Sequence, residues 1–242
     1  MIVILCHPGD AAALWLHETM RSLGMAGVEL VAVEQLAYSR RIVYRLNADG
    51  DSGRIELADG RALHPQAITG LVNRVVFLPT QHFARAQAVD RAYAESELSA
   101  FLLAWINGVA GRVINPALPF ALGGGGFPRP TVMHLASVAG LPTGGWRADS
   151  SHDDSGTPPM SPTQAALVFD GRLYGPLLPR HLQDGCRRLA VLLGAPLLQI
   201  HLHRSSAQGW RFVDASGAAD FRIGGKPLAR ALVLALAQRA SA

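Results

Sequence analysis

The sequence predicts an α/β domain followed by an α+β domain whose sheet is antiparallel. In the first half, apolar strand patterns alternate with helical patterns, and in the second half helices alternate with hairpins. The segment Thr143–Thr163 is rich in Gly, Pro, Ser and Thr, which is typical of a linker or mobile loop. We place the two domains at residues 1–118 and 119–242.

The chain begins with a βαβ unit. Met1–Cys6 is a short apolar run of the kind found in buried parallel strands. Asp10 follows a turn and is suited to cap a helix over Ala11–Leu23, and Val28–Val33 is the second strand. His7 ends the first strand, where α/β proteins often bind ligands, although a capping role fits the same position.

The rest of the first domain contains a hairpin, a long helix and two further strands. The predicted elements are strands at Arg41–Leu46 and Arg54–Leu57 around the turn Asn47–Gly50, a strand at Ile68–Phe77, a helix at Gln87–Val109 and a strand at Arg112–Asn115. Arg74 interrupts an apolar strand, and a buried arginine needs a partner. That partner is either an internal carboxylate such as Glu97 or the carboxylate of a ligand.

The second domain is predicted to alternate helices and strands. Its elements are a helix at Thr131–Ala139, a hairpin of Ala165–Phe169 and Leu173–Tyr174 around Asp170-Gly171, a helix at Pro179–Leu193, strands at Leu197–Arg204 and Trp210–Asp214, and a helix at Pro227–Ala240. Gly123–Gly126 has the composition of a phosphate-cradling loop. No Lys-Ser/Thr pair follows it and no strand leads into it, which favours a flexible interdomain loop.

Composition excludes several classes of function. The formal charge is +4, and Lys226 is the single lysine among 22 basic residues. The arginines form no basic stripe interleaved with aromatic residues, so we expect no nucleic-acid partner. No apolar run reaches the roughly 20 residues of a membrane span, so we expect no membrane partner.

Two features of the sequence predict a cytoplasmic protein. Cys6 and Cys186 are expected to be reduced, buried thiols, and no basic leader precedes Met1–Cys6.

Metal ligation is not predicted either. His201 and His203 share one face of a strand, but no third ligand stands at a motif spacing.

Three stretches together resemble the ATP-grasp superfamily, nearest its RimK-like and peptide-ligase branch. The end of a pre-ATP-grasp domain is resembled by the first stretch, ITGLVNRVV followed by DRAYAESELSAFLLAWINGVAGRVINP. The next helix of the family is resembled by RPTVMHLASVAGLPT. The hairpin, strands and last helix of the core are resembled by Ala165–Ala237. Arg74, Tyr93, Glu97, Trp105, Asn115 and Pro116 match the first pattern. Arg129 stands near the lysine that contacts nucleotide phosphate in active members. The resemblance covers nearly the whole chain and depends on the order of the motifs.

The resemblance implies a pre-ATP-grasp-like N-terminal domain and a reduced ATP-grasp core without most of the ATP-handling groups. Active members cover ATP with a mobile lobe and hold magnesium with acidic residues and an Asn. Here Thr143–Thr163 stands where that lobe is expected, Asp214-Ala215-Ser216 replaces a Glu-x-Asn pattern, and Lys226 lies outside both expected lysine positions. We therefore predict no catalytic residue and no cofactor.

The leading hypothesis is a non-catalytic ATP-grasp-like protein, a pseudoenzyme that binds a peptide, a small-molecule carboxylate or a partner ligase. Homodimerisation is expected because pre-ATP-grasp domains commonly pair. The candidate ligand-binding residues, expected on a concave face between the halves, are His7, Arg74, Asn115, Arg129, Asp214 and Ser216. Two alternatives stay open. One is an active ATP-dependent carboxylate–amine ligase with an arginine-based phosphate site, using ATP and Mg²⁺, and the other is an unrelated α/β binding protein.

Overall fold

The computed structural model describes residues 1–47, 50–144, 161–207 and 209–237. The chain forms two compact units, one of Met1–Gly126 with Lys226–Ala242 and the other of Phe127–Gly225. The domain boundary expected after residue 118 stays a prediction. The compact units divide after Gly126, and the C-terminal helix joins the first unit. Residues 145–160, most of the predicted linker, lie outside the described residues.

The first unit contains a parallel sheet and a small antiparallel sheet. Its elements are β1 (Ile2–Cys6), α1 (Ala11–Ser22), β2 (Val28–Ala32), α2 (Val33–Ala37), β3 (Arg41–Asn47), β4 (Gly50–Glu56), β5 (Ala62–Leu63), β6 (Gly70–Asn73), α3 (Ala88–Asn107) and β7 (Arg112–Ile114). The parallel strands run in the order β2-β1-β6-β7, and the antiparallel strands in the order β3-β4-β5. The predicted βαβ opening, hairpin strands and long helix are all present.

The core of the first unit explains this arrangement. All five residues of β1 are buried, as expected for a central parallel strand. On α3, Leu98, Leu102 and Trp105 are buried in the same cluster as β1 and β4. The hairpin comes so close to α3 that a Cβ on Gly53 would lie 2.9 Å from Cδ1 of Trp105.

The second unit is an antiparallel sheet with helices packed on it. Its elements are α4 (Arg129–Val138), β8 (Gln164–Phe169), β9 (Arg172–Tyr174), α5 (Arg180–Leu192), β10 (Leu197–Ser205), β11 (Gly209–Ser216) and the first part of α6 (Phe221–Ala237). The strands run in the order β11-β10-β8-β9, and every pair is antiparallel. The predicted α+β arrangement is confirmed.

Local chemistry accounts for the hairpin between β8 and β9. Asp170 and Gly171 both have positive φ, at 47° and 72°. Two successive left-handed residues match the twist of the flanking strands, and Asp-Gly adopts this conformation readily. The predicted turn therefore fixes the register of Phe169 against Arg172.

Three elements differ from the sequence prediction. The strand expected at Ile68–Phe77 is limited to β6, because the N–H of Arg74 forms the last hydrogen bond to β1, with the carbonyl of Leu5, and the chain leaves the sheet after it. The helix α2 was not predicted, and its first turn is held by Gln35, whose side-chain oxygen accepts from the N–H of Ala32 at 2.9 Å. The closing helix is preceded by a short helical segment from Phe221, which was not predicted; the two are divided at Gly225, where φ is 58°, just before the predicted start at Pro227.

Two further expectations concern burial and membranes. Cys6 and Cys186 are both buried free thiols. Burial raises the pKa of Cys6 to about 11 and that of Cys186 to about 12. Within the described ranges, no helix combines the length and the apolar character that a membrane crossing requires.

Candidate functional site

The carboxyl edge of the parallel sheet contains a topological switch point. Helix α1 connects β1 to β2 on one side, whereas α3 connects β6 to β7 on the other, so the winding direction reverses between β1 and β6. Ligands of open α/β sheets bind outside the carboxyl ends of the strands at this point. Here the segments after β1 and β6 bring together His7, Asp10 and Arg74.

Asp10 and Arg74 form a buried, two-point ion pair. Nε of Arg74 donates to Oδ2 of Asp10 at 2.7 Å, and Nη2 donates to Oδ1 at 3.1 Å. Oδ1 also accepts from the N–H groups of Ala12 and Ala13, at 3.0 Å each, and so caps α1. Burial raises the pKa of Asp10, but the hydrogen bonds from Arg74 and from the helix outweigh it and leave the pKa below its ordinary value.

This pair identifies the internal partner of Arg74. Glu97, the internal carboxylate considered from the sequence, is exposed on α3, so that interpretation was wrong. The physical reason is the sheet edge: Asp10 follows β1, the strand next to β6, whereas Glu97 lies near the middle of a helix. Asp10 had been predicted as a helix cap alone. Its position after a parallel strand neighbouring that of Arg74 is the signal that could have revealed its second role.

His7 holds the segment that follows Arg74. Its Nε2 accepts from the N–H groups of Val76 at 3.1 Å and Phe77 at 3.4 Å, and its ring stacks on Phe77 with centroids 4.0 Å apart. Because Nε2 accepts, Nδ1 carries the hydrogen and donates to Oε1 of Glu34 at 3.1 Å. His7 therefore bridges α2 and the exposed residues Val76 and Phe77.

Glu34 was not found from the sequence, because α2 was not predicted. Its Oε2 is buried and has no hydrogen-bond partner among the described residues. An acceptor without a donor is costly inside a protein, so this oxygen marks a position where an added N–H or O–H group would be stabilised.

Asn73 and Asn115 join the ends of β6 and β7. Nδ2 of Asn73 donates to the carbonyl of Asn115 at 3.0 Å and to the carbonyl of Leu122 at 2.6 Å. Asn115 is 1% exposed. The geometry gives the side-chain amide of Asn73 a role in holding together the segments that follow β6 and β7. The ligand-binding role of Asn115 stays a prediction.

The glycine-rich loop folds against this edge. A Cβ on Gly123 would overlap the carbonyl oxygen of Val75, and a Cβ on Gly124, where φ is 67°, would overlap the carbonyl oxygen of Pro116. Both glycines are thus required by close backbone approach. This packing accounts for part of Gly123–Gly126 without a phosphate ligand.

In the second unit, Asp214 and Ser216 lie on one face of β11. Asp214 pairs with His201 of β10, and Ser216 pairs with Gln199. The register shifts between His201 and Leu202, which leaves Val213 as an extra residue, a β-bulge. The bulge turns Asp214 and Ser216 to the face opposite the buried core.

The polar side chains on this face differ in the hydrogen bonds that they form. The side-chain oxygen of Gln199 accepts from the N–H of Asp220 at 2.7 Å, and its Nε2 lies 3.0 Å from Nε2 of His201. Oγ of Ser216 accepts from the N–H of Ala218 at 3.1 Å. Asp214 forms no ion pair or hydrogen bond with another described side chain. Among the described residues, no group of three or more His, Cys, Asp and Glu side chains could hold a metal ion.

Arg129 is the first residue of α4 and is exposed. Within the described part of the chain, its guanidinium has no ion-pair partner. The six predicted residues are thus divided. His7, Arg74 and Asn115 lie at the sheet edge of the first unit, and Arg129, Asp214 and Ser216 lie in the second. A single site formed by all six stays a prediction.

Comparison with solved structures shows the fold. The macrocyclase MdnC from Microcystis aeruginosa, bound with the precursor peptide MdnA, superposes with a TM-score of 0.70 at 10% identity, covering 98% of this chain and 99% of that one. The ATP-grasp ligase PsnB, complexed with a variant of its minimal precursor, Mg and ADP, has a TM-score of 0.68 at 15% identity, with 97% and 98% covered.

A third structure extends this similarity. A RiPP-associated ATP-grasp ligase from Chryseobacterium gregarium, in complex with ADP and a leader and core peptide, has a TM-score of 0.66 at 9% identity, covering 98% of this chain and 96% of that one. No family model and no curated protein matches the sequence. The chain therefore has an ATP-grasp-like fold, which supports the resemblance found in the sequence.

Proposed function

We propose that this chain is a non-catalytic ATP-grasp-like protein that binds a peptide. The observation that carries the proposal is β11, where the pattern of active members is replaced by Asp214-Ala215-Ser216. Mg²⁺ bound with nucleotide is usually held by carboxylates together with phosphate oxygens. One carboxylate beside a hydroxyl that already accepts from Ala218 is a poor magnesium site.

The sheet edge of the first unit also supports a binding role without catalysis. The guanidinium of Arg74 is bound to Asp10 on two of its nitrogens. His7 uses both ring nitrogens in internal contacts. These groups shape the segment around Val76 and Phe77 instead of offering a reactive acid or base.

Two observations favour a peptide as the ligand over a small carboxylate or a partner ligase. The solved structures of similar fold contain a precursor peptide, a minimal precursor, or a leader and core peptide. Val76 and Phe77 are 68% and 54% exposed, which gives apolar contact area next to His7, whose ring stacks on Phe77. In the second unit, we propose that Arg129, Asp214 and Ser216 contact the ligand.

Titration of Mg·ATP by calorimetry tests the absence of catalysis. We expect no binding tighter than about 1 mM, the weak end of useful affinity, and no release of ADP. Ser216→Asn restores the amide oxygen of the Glu-x-Asn pattern, and it should not create ATP binding if the remaining groups are also missing. Binding tighter than about 1 mM that is lost in Asp214→Ala would instead establish the active-ligase alternative with an arginine-based phosphate site.

Selection from a displayed library of random peptides tests the binding role. Peptides that bind the wild-type chain should bind Asp214→Asn and Arg129→Gln more weakly, by roughly fivefold for the loss of one exposed charge contact. Arg180→Gln, which removes an exposed charge at the start of α5, is the matched control and should leave binding unchanged. Failure to select any peptide would contradict the proposal.

We also propose that the chain is cytoplasmic and forms a homodimer.

A further inference from the structure

The strand β3 is an open edge of the small antiparallel sheet. The sheet has the order β3-β4-β5, so one side of β3 has no neighbouring strand among those described. Alternate residues of an edge strand direct unpaired N–H and C=O groups outward, and such an edge accepts an extended peptide as an added strand. At one end of this edge, Ile42 is 38% exposed.

One face of this hairpin is basic. Arg41, Val43 and Arg45 alternate along β3, which places their side chains on the same face. Val43 pairs across the hairpin with Arg54, which lies on that face as well. The opposite face carries Ile42 and Tyr44, and Tyr44 contacts Phe101 of α3 with ring centroids 6.0 Å apart.

The basic face borders a shallow cleft of about 210 Å³. Its lining includes Arg41, Val43, Arg45, Arg54, Glu56 and His64. Nη2 of Arg54 contacts Oε1 of Glu56 at 3.0 Å, which offsets one of the three arginine charges. Arg41 and Arg45 are exposed and form no ion pair with any described side chain. The cleft therefore has an excess of positive charge and suits an anionic partner.

We propose that β3 binds an extended acidic peptide as an added strand. Residues opposite Arg41, Val43 and Arg45 in the new pair would share the basic face. The peptide therefore carries an acidic residue at position i, an apolar residue at i+2 and an acidic residue at i+4. This inference rests on the proposed peptide-binding function and adds the docking strand and the chemistry of the peptide.

The spacing of the two free arginines gives the proposal its specificity. A β-strand rises about 3.4 Å per residue, so positions four apart lie roughly 14 Å from each other. Carboxylates at i and i+4 of an extended peptide have the same separation and meet both guanidinium groups at once. Carboxylates at i and i+1 point to opposite faces and meet at most one.

Fluorescence anisotropy with a labelled peptide Thr-Glu-Thr-Val-Thr-Glu-Thr tests the inference on the full chain. We expect saturable binding tighter than about 1 mM that weakens as salt is raised. The double variant Arg41→Gln/Arg45→Gln should weaken it by about tenfold, the factor for two exposed ion pairs. Arg21→Gln/Arg230→Gln removes the same charge from α1 and α6 and should change binding less than twofold.

Two altered probes separate strand addition from attraction to charge. Methylation of the peptide nitrogens on one edge removes the inward N–H donors and should abolish binding, whereas methylation on the other edge should not. A peptide with adjacent glutamates and equal charge should bind several-fold more weakly. If both glutamate peptides bind equally, or if a single-stranded oligonucleotide binds and the peptide does not, the inference is wrong.

The outcomes also separate this inference from the proposed function. If library-selected peptides bind the chain but are insensitive to Arg41→Gln/Arg45→Gln, peptide binding stands and the β3 site is excluded. If no peptide of either kind binds, both the proposed peptide-binding function and the β3 site are wrong. The arginines would then serve to keep an exposed edge strand from pairing with other chains.

Discussion

At the scale of single residues, Asp10 connects helix α1 to the segment that follows β6. Its carboxylate caps α1 and pairs with Arg74, which follows β6. The side chains of Asp10 and Arg74 are 14% and 9% exposed, so the pair is shielded from water. Breaking such a pair by removing one partner leaves the other charge buried and uncompensated, which is more damaging than the loss of the attraction itself.

We therefore expect Asp10→Asn to lower the free energy of unfolding by about 3–5 kcal/mol. Urea denaturation measures this change. Asp184→Asn is the matched control, because Asp184 forms an exposed pair with Arg187 at 2.9 Å, and exposed pairs contribute about 0–1 kcal/mol. Equal effects of the two substitutions would show that the Asp10 pair is not buried in solution.

The lowered pKa of the Asp10 carboxylate predicts that the free energy of unfolding depends on pH. The folded-state pKa of Asp10 is lowered, so its contribution is fully present above the unfolded value near 3.9 and is lost as pH falls through the folded value. From about pH 5 downward, the unfolding free energy of the wild-type chain should fall more steeply than that of Asp10→Asn. Parallel curves for the two proteins in this range would contradict the assignment.

At the scale of elements, one extra residue in β11 decides which of its side chains point away from the core cluster that contains Phe212 and Ala215. Simple alternation would place Phe212, Asp214 and Ser216 together. The bulge at Val213 leaves Phe212 in the core, 3% exposed, and turns the other two away from it. A strand pattern in the sequence does not reveal a bulge, because its position depends on the pairing with β10.

The glycine-rich loop gives a test at the same scale. Gly123→Ala should lower the unfolding free energy by about 1–3 kcal/mol, because the new methyl group would overlap the Val75 carbonyl and force the backbone to shift. Gly27→Ala is the control, since a Cβ there would meet nothing within 4 Å. It should change stability by no more than about 1 kcal/mol. A neutral Gly123→Ala would favour an open loop available to a ligand.

At the scale of the whole molecule, the chain returns at its C-terminus to the unit in which it began. Residues Lys226–Ala242 belong with Met1–Gly126. Leu236 is fully buried, and its side chain lies where a Cβ on Gly70 of β6 would meet it at 2.9 Å. The first unit is therefore discontinuous in sequence, and its core requires the last helix.

We expect Leu236→Ala to cost about 2–5 kcal/mol of unfolding free energy, the range for a buried leucine. Leu234, two residues earlier, is 62% exposed, and Leu234→Ala should cost less than about 0.5 kcal/mol. Hydrogen exchange of β1 and β6 amides should accelerate in Leu236→Ala and not in Leu234→Ala. Equal exchange in the two variants would place the last helix outside the core of the first unit.

The sequence by itself determined the order and type of most elements, because hydrophobic periodicity, Asp10 as a helix cap and the Asp170-Gly171 turn are local signals. It also identified the ATP-grasp-like fold through motifs in the correct order. The tertiary structure decided the partner of Arg74, the face of Asp214 and the return of the last helix. Each of these depends on contacts between residues distant along the chain, and local patterns carry no information about which strands become neighbours.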